Sequence, residues 1–338
     1  MIQSFFIWQK CWLYIRSTLQ TVQQQQKKDR VALYGVLMVL LSAVLFSGKA
    51  VLAKLVYRQS SMSVSELLVL RMLFSLPFYV AMLLMQWQQH KRNATHQSFM
   101  QRSHVLPTIL LGLLGYYISS FFDFWGLKHI SAGLERVILF SYPTMVVLFG
   151  AWFFKEKIQR HQVLALLLSY AGIGVAFAAD FDQPQTGNVW IGAAFIVGCA
   201  ITFSLYVLFS GKLVPQVGVS KFTAVAMLSA TTAIFLHYFV MGGAVQQLLS
   251  FSPQVYGYML LMAVFTTVVP SLLVSAGLKR VGSSNVAIIS SVGPIVTIFQ
   301  AWYFLGEPFG WQQAIGTVLV VAGVLWVSKK TTQQTKAA

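Results

Sequence analysis

Two stretches of this sequence repeat each other at a distance of 151 residues: GLKHISAGLERVILFSYP (126–143) and GLKRVGSSNVAIISSVGP (277–294). The alignment needs no gap. Each stretch ends on a proline, Pro143 or Pro294, and both copies carry a glutamate thirteen residues further on. Matches of Gly, Leu and Ala are common in apolar sequence, so the aligned prolines and glutamates are the stronger evidence. They indicate that the chain contains two related halves.

The composition is that of an integral membrane protein. Of 338 residues, 57% are hydrophobic and 9% are charged, with a mean hydropathy of +0.69, whereas soluble domains carry about 25% charged residues. The net charge of +16 would suit nucleic acid, but no basic face or aromatic platform accompanies it, so we predict no nucleic-acid partner. The cysteines, Cys11 and Cys199, form neither a disulfide framework nor a CxxC metal pair, and we predict no metal or cofactor.

Apolar runs of about twenty residues predict an all-α protein with ten transmembrane helices. The predicted spans are 32–55, 64–86, 105–126, 132–153, 161–179, 188–210, 219–241, 254–277, 283–304 and 311–328. They divide the chain into a tail, two five-helix repeats and a second tail: 1–30, 31–180, 185–330 and 331–338. Because five is odd, the second repeat would enter the membrane from the opposite side, which makes the two repeats inverted.

The distribution of lysine and arginine predicts the orientation. With a cytoplasmic N-terminus, eighteen of the 24 Lys and Arg residues lie inside, three outside and three within spans. Positive charge marks the cytoplasmic side. We therefore predict a multi-pass protein of the plasma or inner membrane with both termini in the cytoplasm. The first tail is either a disordered segment or an interfacial helix lying on the bilayer.

These features together resemble the EamA-type drug/metabolite transporter superfamily. The resemblance is carried by ten spans in two halves, by SAGLERVILFSYPT in the fourth span, and by FFKE…AG repeated as FLGEP…AG. It covers roughly residues 31–330. It implies a secondary transporter whose relatives move amino acids, other small metabolites or toxic compounds, mostly outward across bacterial plasma membranes.

Charged residues cluster in the predicted outer part of the first repeat. They are Lys49, Lys54, Glu66, Arg71, Asp123, Glu135 and Arg136. A charge at the centre of a spanning helix costs roughly 2.5–3.5 kcal/mol on insertion scales, and such residues usually face a cavity. The second repeat has Val274, Val286 and Ala287 at positions equivalent to the last three. We predict a polar vestibule in which Asp123 or Glu135 couples transport to protons; a static ion-pair network remains the alternative.

The candidate site extends beyond these charges. The predicted substrate-binding or coupling residues are Asp123, Glu135, Arg136, Arg71, Lys49, Asn285 and Tyr142, with Ser141, Ser290 and Ser291 as weaker candidates and Pro143 and Pro294 as hinges or kinks. Adjacent side chains point in different directions on a helix, so Arg136 is not expected to pair with Glu135. Its partner is expected on another span, and Asp123 is one candidate. Glu156 and Glu307 are expected to cap the helices that follow them.

The predicted function is export of a small solute, amino acid-like or otherwise polar or amphipathic, by alternating access and with proton coupling. The partners are this solute and the lipid bilayer, and a homodimer remains open. No Walker A motif is present, so the sequence encodes no ATP drive. A membrane-embedded enzyme is the alternative class, but HExxH and GxSxG are absent. A flippase for a lipid-linked substrate also remains open.

Overall fold

The computed structural model describes residues 33–92, 99–155, 188–290, 292–307 and 310–319, with isolated positions between 163 and 175 and at 321–322. Every regular element in these ranges is helical. The helices are α1 (Leu33–Gln59), α2 (Val64–Arg92), α3 (Arg102–His129), α4 (Ala132–Leu139), α5 (Tyr142–Phe154), α6 (Val189–Val217), α7 (Val219–Val240), α8 (Val245–Leu248), α9 (Pro253–Gly282), α10 (283–289), α11 (Val292–Leu305) and α12 (311–319).

Among the described residues, seven helical segments are long and apolar enough to cross a membrane. They are α1, α2, α3, the α4–α5 pair, α6, α7 and α9, and α11 is a shorter apolar helix. The predicted membrane class is therefore confirmed, whereas the number of ten spans is not. Most of the fifth predicted span (161–179) and the second half of the tenth (311–328) lie outside the described residues.

The fourth and ninth predicted spans are each broken into two helices at equivalent places. The first break separates α4 from α5 at Phe140, whose φ of −70° and ψ of 1° leave the helical region. Pro143 lies in the first turn of α5, and Pro294 lies close to the start of α11. Proline lacks a backbone N–H, which is no loss in the first turn of a helix but breaks a hydrogen bond in its interior.

Other backbone features recur at the same 151-residue shift. A π-helical segment interrupts α3 at Leu113–Ile118 and another interrupts α9 at Val264–Val268. The helices α5 and α11 both end in a left-handed residue, Lys155 with φ 56° and Gly306 with φ 65°. The two halves thus share local backbone geometry as well as sequence. π-helical insertions often occur at functional sites, because they rotate the side chains that follow them.

Small residues allow the helices of the two halves to pack closely. Gly112 of α3 lies against the backbone of α7, where an added Cβ would stand 2.2 Å from the Ala226 carbonyl oxygen. Gly115, one turn further, lies under the ring of Tyr206 in α6. Such contacts stabilise helix association in membranes, where van der Waals packing replaces the hydrophobic effect.

Gly112→Ala is expected to destabilise the protein by about 2–3 kcal/mol, because the new methyl group would overlap backbone atoms that cannot move independently. Gly257→Ala is the matched control, since nothing lies within 4 Å of its Cβ position. That substitution should be neutral or stabilise the helix by about 0.5–1 kcal/mol. Thermal unfolding of the purified variants in detergent measures both effects, and equal shifts would contradict the close α3–α7 contact.

Candidate functional site

A cavity lies between the two halves, at the level of the helix breaks. Its volume is about 100 Å³, and a water molecule needs roughly 10–15 Å³ of such space, so several waters or a small solute fit. Equivalent positions of both halves border it, including Gly115 with Thr266 and Asp123 with Val274. The cavity therefore lies at the interface between the two halves.

An ion pair between α1 and α3 forms one side of the cavity. The Lys49 ammonium contacts Oδ2 of Asp123, and the side chain of Asp123 is completely buried. Lys49 itself is 8% exposed. The prediction that Asp123 pairs with Arg136 was therefore wrong. Lys49 on α1 provides the counter-charge, and its Nζ atom also lies 5.7 Å from the centre of the Phe124 ring.

Glu135 lies behind this pair, in the first turn of α4, and is fully buried. Its carboxyl group lies close enough to that of Asp123 for the two to interact electrostatically. The Nε atom of Arg136 is 3.6 Å from Glu135 Oε2. Neither Glu135 oxygen has a hydrogen bond of standard geometry. Two carboxyl groups buried close to each other repel when both are ionised.

Arg136 contacts its own sequence neighbour, contrary to the expectation that it must find a carboxylate on another span. Adjacent side chains do diverge at Cβ, but the arginine side chain is long enough to bring Nε back toward Glu135. Its Nη2 atom donates a hydrogen bond to the Phe46 carbonyl oxygen of α1 at 3.2 Å. Arg136 thus joins α4 to α1 through a backbone group rather than through a second acid.

Arg71 of α2 is the third buried cation in the cavity wall. It is 3% exposed, and its Nε and Nη2 atoms have no hydrogen-bond partner. Its guanidinium carbon lies 4.9 Å from the centre of the Phe124 ring, which supports the planar group from one side. A cation–π contact of this kind contributes about 0.5–2 kcal/mol, but it leaves the N–H donors unsatisfied.

Hydroxyl and aromatic side chains complete the cavity. Tyr142 is buried and packs edge-on against Phe203 at 5.1 Å between ring centres. Tyr116 lines the cavity, and its hydroxyl group is hydrogen-bonded at 2.7 Å to that of Tyr206, which is not among the lining residues. Ser290 lines the cavity, as do Thr266, Thr267, Ser119 and Ser120. The sequence pointed to Tyr142 and Ser290, but not to the threonines or to Tyr206, because hydroxyl groups commonly pack between membrane helices without a ligand.

The remaining predicted residues take different positions. Pro294 lines the cavity, whereas Pro143 is not among its lining residues. Asn285 belongs to α10, and its side chain lies outside the described part of the structure. Ser141 is buried, and its hydroxyl group has no hydrogen-bond partner. Ser291 lies outside the described residues.

Glu307 caps a helix of the opposite half, not the helix that follows it. Its Oε1 accepts a hydrogen bond from Ala132 N at 3.2 Å, and its Oε2 accepts one from Gly133 N at 3.4 Å. Both donors belong to the first turn of α4. The earlier expectation was wrong because the loop after α11 turns toward α4, where free N–H groups and the helix dipole attract a carboxylate. Glu156 lies outside the described residues.

Residues 33–178 and 190–329 match the EamA-like transporter family. The chain belongs to this family. It is 29% identical over 313 residues to the uncharacterized transporter YcbK of Bacillus subtilis, covering 91% of this chain and 98% of YcbK. The uncharacterized inner membrane transporter YicL of Salmonella typhimurium is 22% identical over 306 residues, covering 90% and 98% of the two chains.

A known crystal structure shares the fold. It aligns with 89% of this EamA protein and 98% of its own chain, at 16% sequence identity and a TM-score of 0.62. The family and its named relatives point to a membrane transporter rather than an enzyme. The cavity between the halves is therefore the candidate solute-binding site.

Proposed function

We propose that this EamA protein is a secondary transporter that exports a small solute by alternating access, with the solute bound in the cavity between the two halves. The solute is amino acid-like or another small polar or amphipathic molecule. Alternating access requires two groups of helices that move against each other around a central site. The broken helices α4–α5 and α10–α11 border the cavity and supply places where such a movement can bend the chain.

The burial of incompletely paired charges around the cavity carries this proposal. The charged residues are Lys49, Arg71, Asp123, Glu135 and Arg136, and each is at most 8% exposed. In a purely structural network we expect every buried donor and acceptor to be satisfied, because an unpaired buried polar group costs about 1–3 kcal/mol and a charged one more. Here Arg71, which lines the cavity, retains two donor atoms, Nε and Nη2, without hydrogen bonds. Partners that arrive and leave with the solute explain this better than a static network.

Proton coupling is assigned to the carboxyl pair of Asp123 and Glu135. We assign the coupling proton to Glu135, because Lys49 contacts Asp123 directly and already supplies its counter-charge. Loss of that proton places a second negative charge close to Asp123, to Lys49 of α1 and to Arg136 of α4. The resulting rearrangement of charges is what would link proton movement to a change of helix packing.

Transport into or out of proteoliposomes tests this function. Vesicles containing the purified protein and a mixture of small metabolites are placed under a pH gradient, and the moved solutes are identified by mass spectrometry. One coupled proton corresponds to about tenfold accumulation per pH unit. Glu135→Gln is expected to retain solute exchange but to lose this accumulation.

Glu66→Gln is the matched control for this experiment. Glu66 caps the start of α2 by accepting a hydrogen bond from Ser63 N at 2.6 Å, and it does not line the cavity. This variant should accumulate solute as the wild type does. Absence of any protein-dependent solute movement would reject the transporter, and full accumulation by Glu135→Gln would reject the assigned proton site.

A further inference from the structure

We infer that the transported solute is a small carboxylate that needs no amino group, and that Arg71 binds its carboxylate. This inference rests on the proposed function and narrows its substrate class. It depends on three features of the described structure: the unsatisfied guanidinium of Arg71, the charges available to a ligand, and the apolar part of the cavity wall.

The guanidinium of Arg71 is built to receive an anion. Its Nε and Nη2 atoms lack hydrogen-bond partners although the residue is 3% exposed and lines the cavity. Phe124 supports the plane of the group from one side at 4.9 Å, which limits its rotation. A planar, oriented guanidinium offers two parallel N–H donors, and a carboxylate matches this geometry with two oxygens.

The charges around the cavity leave a place for a negative group and none for a positive one. Three buried cations, Lys49, Arg71 and Arg136, accompany two buried carboxylates, Asp123 and Glu135. Lys49 contacts Asp123, and Arg136 lies beside Glu135. Asp123 is the one carboxylate among the described residues that line the cavity, and its charge is already used by Lys49. A ligand ammonium group would therefore compete with Lys49, whereas a ligand carboxylate complements Arg71.

Apart from its charged and hydroxyl groups, the cavity wall has an apolar part that suits a short hydrocarbon body. The second half contributes Val207, Val274, Val286 and Pro294, and the first contributes Phe46. These side chains offer apolar contacts and no charge. With a cavity volume of about 100 Å³, the body that fits is a chain of a few carbon atoms. Burial of each CH₂ group contributes about 0.8 kcal/mol, so chain length and carboxylate both add to affinity.

Four matched probes separate the charge requirements: hexanoate, norleucine, hexanamide and hexylamine. They share one hydrocarbon chain and differ in being anionic, zwitterionic, neutral or cationic. Thermal stabilisation of the purified protein measures their binding. Hexanoate is expected to bind at least about tenfold more tightly than hexanamide, because hydrogen bonds from guanidinium to an ionised oxygen are roughly twice as strong as neutral ones. Norleucine should bind no better than hexanoate.

Variants of Arg71 distinguish a ligand-binding role from a structural one. Arg71→Met should weaken hexanoate binding by about thirtyfold or more without lowering the melting temperature of the unliganded protein, because the cost of burying the guanidinium outweighs its cation–π contact with Phe124. Arg71→Lys keeps the charge but loses the two parallel donors, so its affinity for hexanoate should lie between those of the wild type and Arg71→Met. Arg280→Gln, which removes an exposed cation at the end of α9, should leave binding unchanged.

The possible results separate this inference from the proposed function. Equal or tighter binding of hexylamine or hexanamide, or no binding by any of the four probes, overturns the carboxylate assignment. A lower melting temperature of unliganded Arg71→Met would indicate that the arginine is structural, and also overturns it. If the metabolite mixture in proteoliposomes yields transported amines or neutral solutes, the transporter stands and the carboxylate inference fails. If no metabolite moves, both fail.

Discussion

Asp123→Asn is expected to lower the free energy of unfolding by about 3–5 kcal/mol, because it leaves the Lys49 ammonium buried without its counter-charge. Asp123 is completely buried and Lys49 is 8% exposed, so water cannot replace the lost partner fully. Lys49→Met should cost a comparable amount, since it leaves the Asp123 carboxylate beside Glu135 with no direct cation. Unfolding in mixed detergent–SDS micelles measures both variants.

The double variant Lys49→Met with Asp123→Asn is the decisive member of the series. It removes both charges together and leaves neither one buried without its partner, so its stability should lie within about 1–2 kcal/mol of the wild type. The coupling between the two sites would then be several kcal/mol, as expected for residues in direct contact. Lys91→Met, at the exposed end of α2, is the control for loss of a lysine. Additive costs in the double variant would show that Lys49 and Asp123 do not stabilise each other.

The presence of a charged cluster could be predicted from sequence, but the pairing within it could not. Ionised side chains in apolar spans are costly enough that they must gather around water or each other, and Lys49, Asp123 and Arg136 do so. Their pairing depends on the rotation of each helix and on side-chain reach, which hydropathy does not encode. The positions of Asp123 and Arg136 near the predicted ends of neighbouring spans therefore suggested that the two residues form an ion pair. In the structure, the ion-pair partner of Asp123 is Lys49.

Some features of the backbone could likewise be predicted from the sequence, and others could not. The aligned prolines indicated special geometry in the fourth and ninth spans, because proline cannot donate the helix hydrogen bond, and breaks occur just before both. The π-helical segments at Leu113–Ile118 and Val264–Val268 had no such signal. Likewise, Thr266 and Thr267 are uncharged and inexpensive to bury, so only the fold reveals that they face the cavity.

The second large effect is expected where Glu307 joins the two halves. Its carboxylate accepts hydrogen bonds from Ala132 N and Gly133 N at the start of α4, while the Arg58 guanidinium donates to the Leu305 carbonyl oxygen at 2.6 Å. Both contacts cross between the halves at the end of the molecule that the charge distribution predicts to be outside. Opening of the cavity toward that side must break them.

Glu307→Ala should therefore shift the protein toward an outward-open state. A lost helix cap and its dipole interaction together correspond to about 1–2 kcal/mol, which changes a two-state population by roughly 5–30-fold. Cys199 reports the shift, because it is buried, lines the cavity and is hydrogen-bonded to Ser119 at 3.2 Å. In a Cys11→Ser background, a membrane-impermeant thiol reagent applied from the predicted outside should label Cys199 faster by that factor.

The control for this experiment is Glu66→Ala, which removes a helix cap of the same chemistry that stays within the first half. Glu66 and Ser63 cap α2 reciprocally, and no residue of the second half takes part in those hydrogen bonds. If loss of any cap merely loosened the protein, both variants would speed the labelling of Cys199 equally. If Glu307 holds the halves together, Glu307→Ala will speed the labelling of Cys199 and Glu66→Ala will not. Arg58→Gln will add to the effect of Glu307→Ala, because it releases the second contact at the same end.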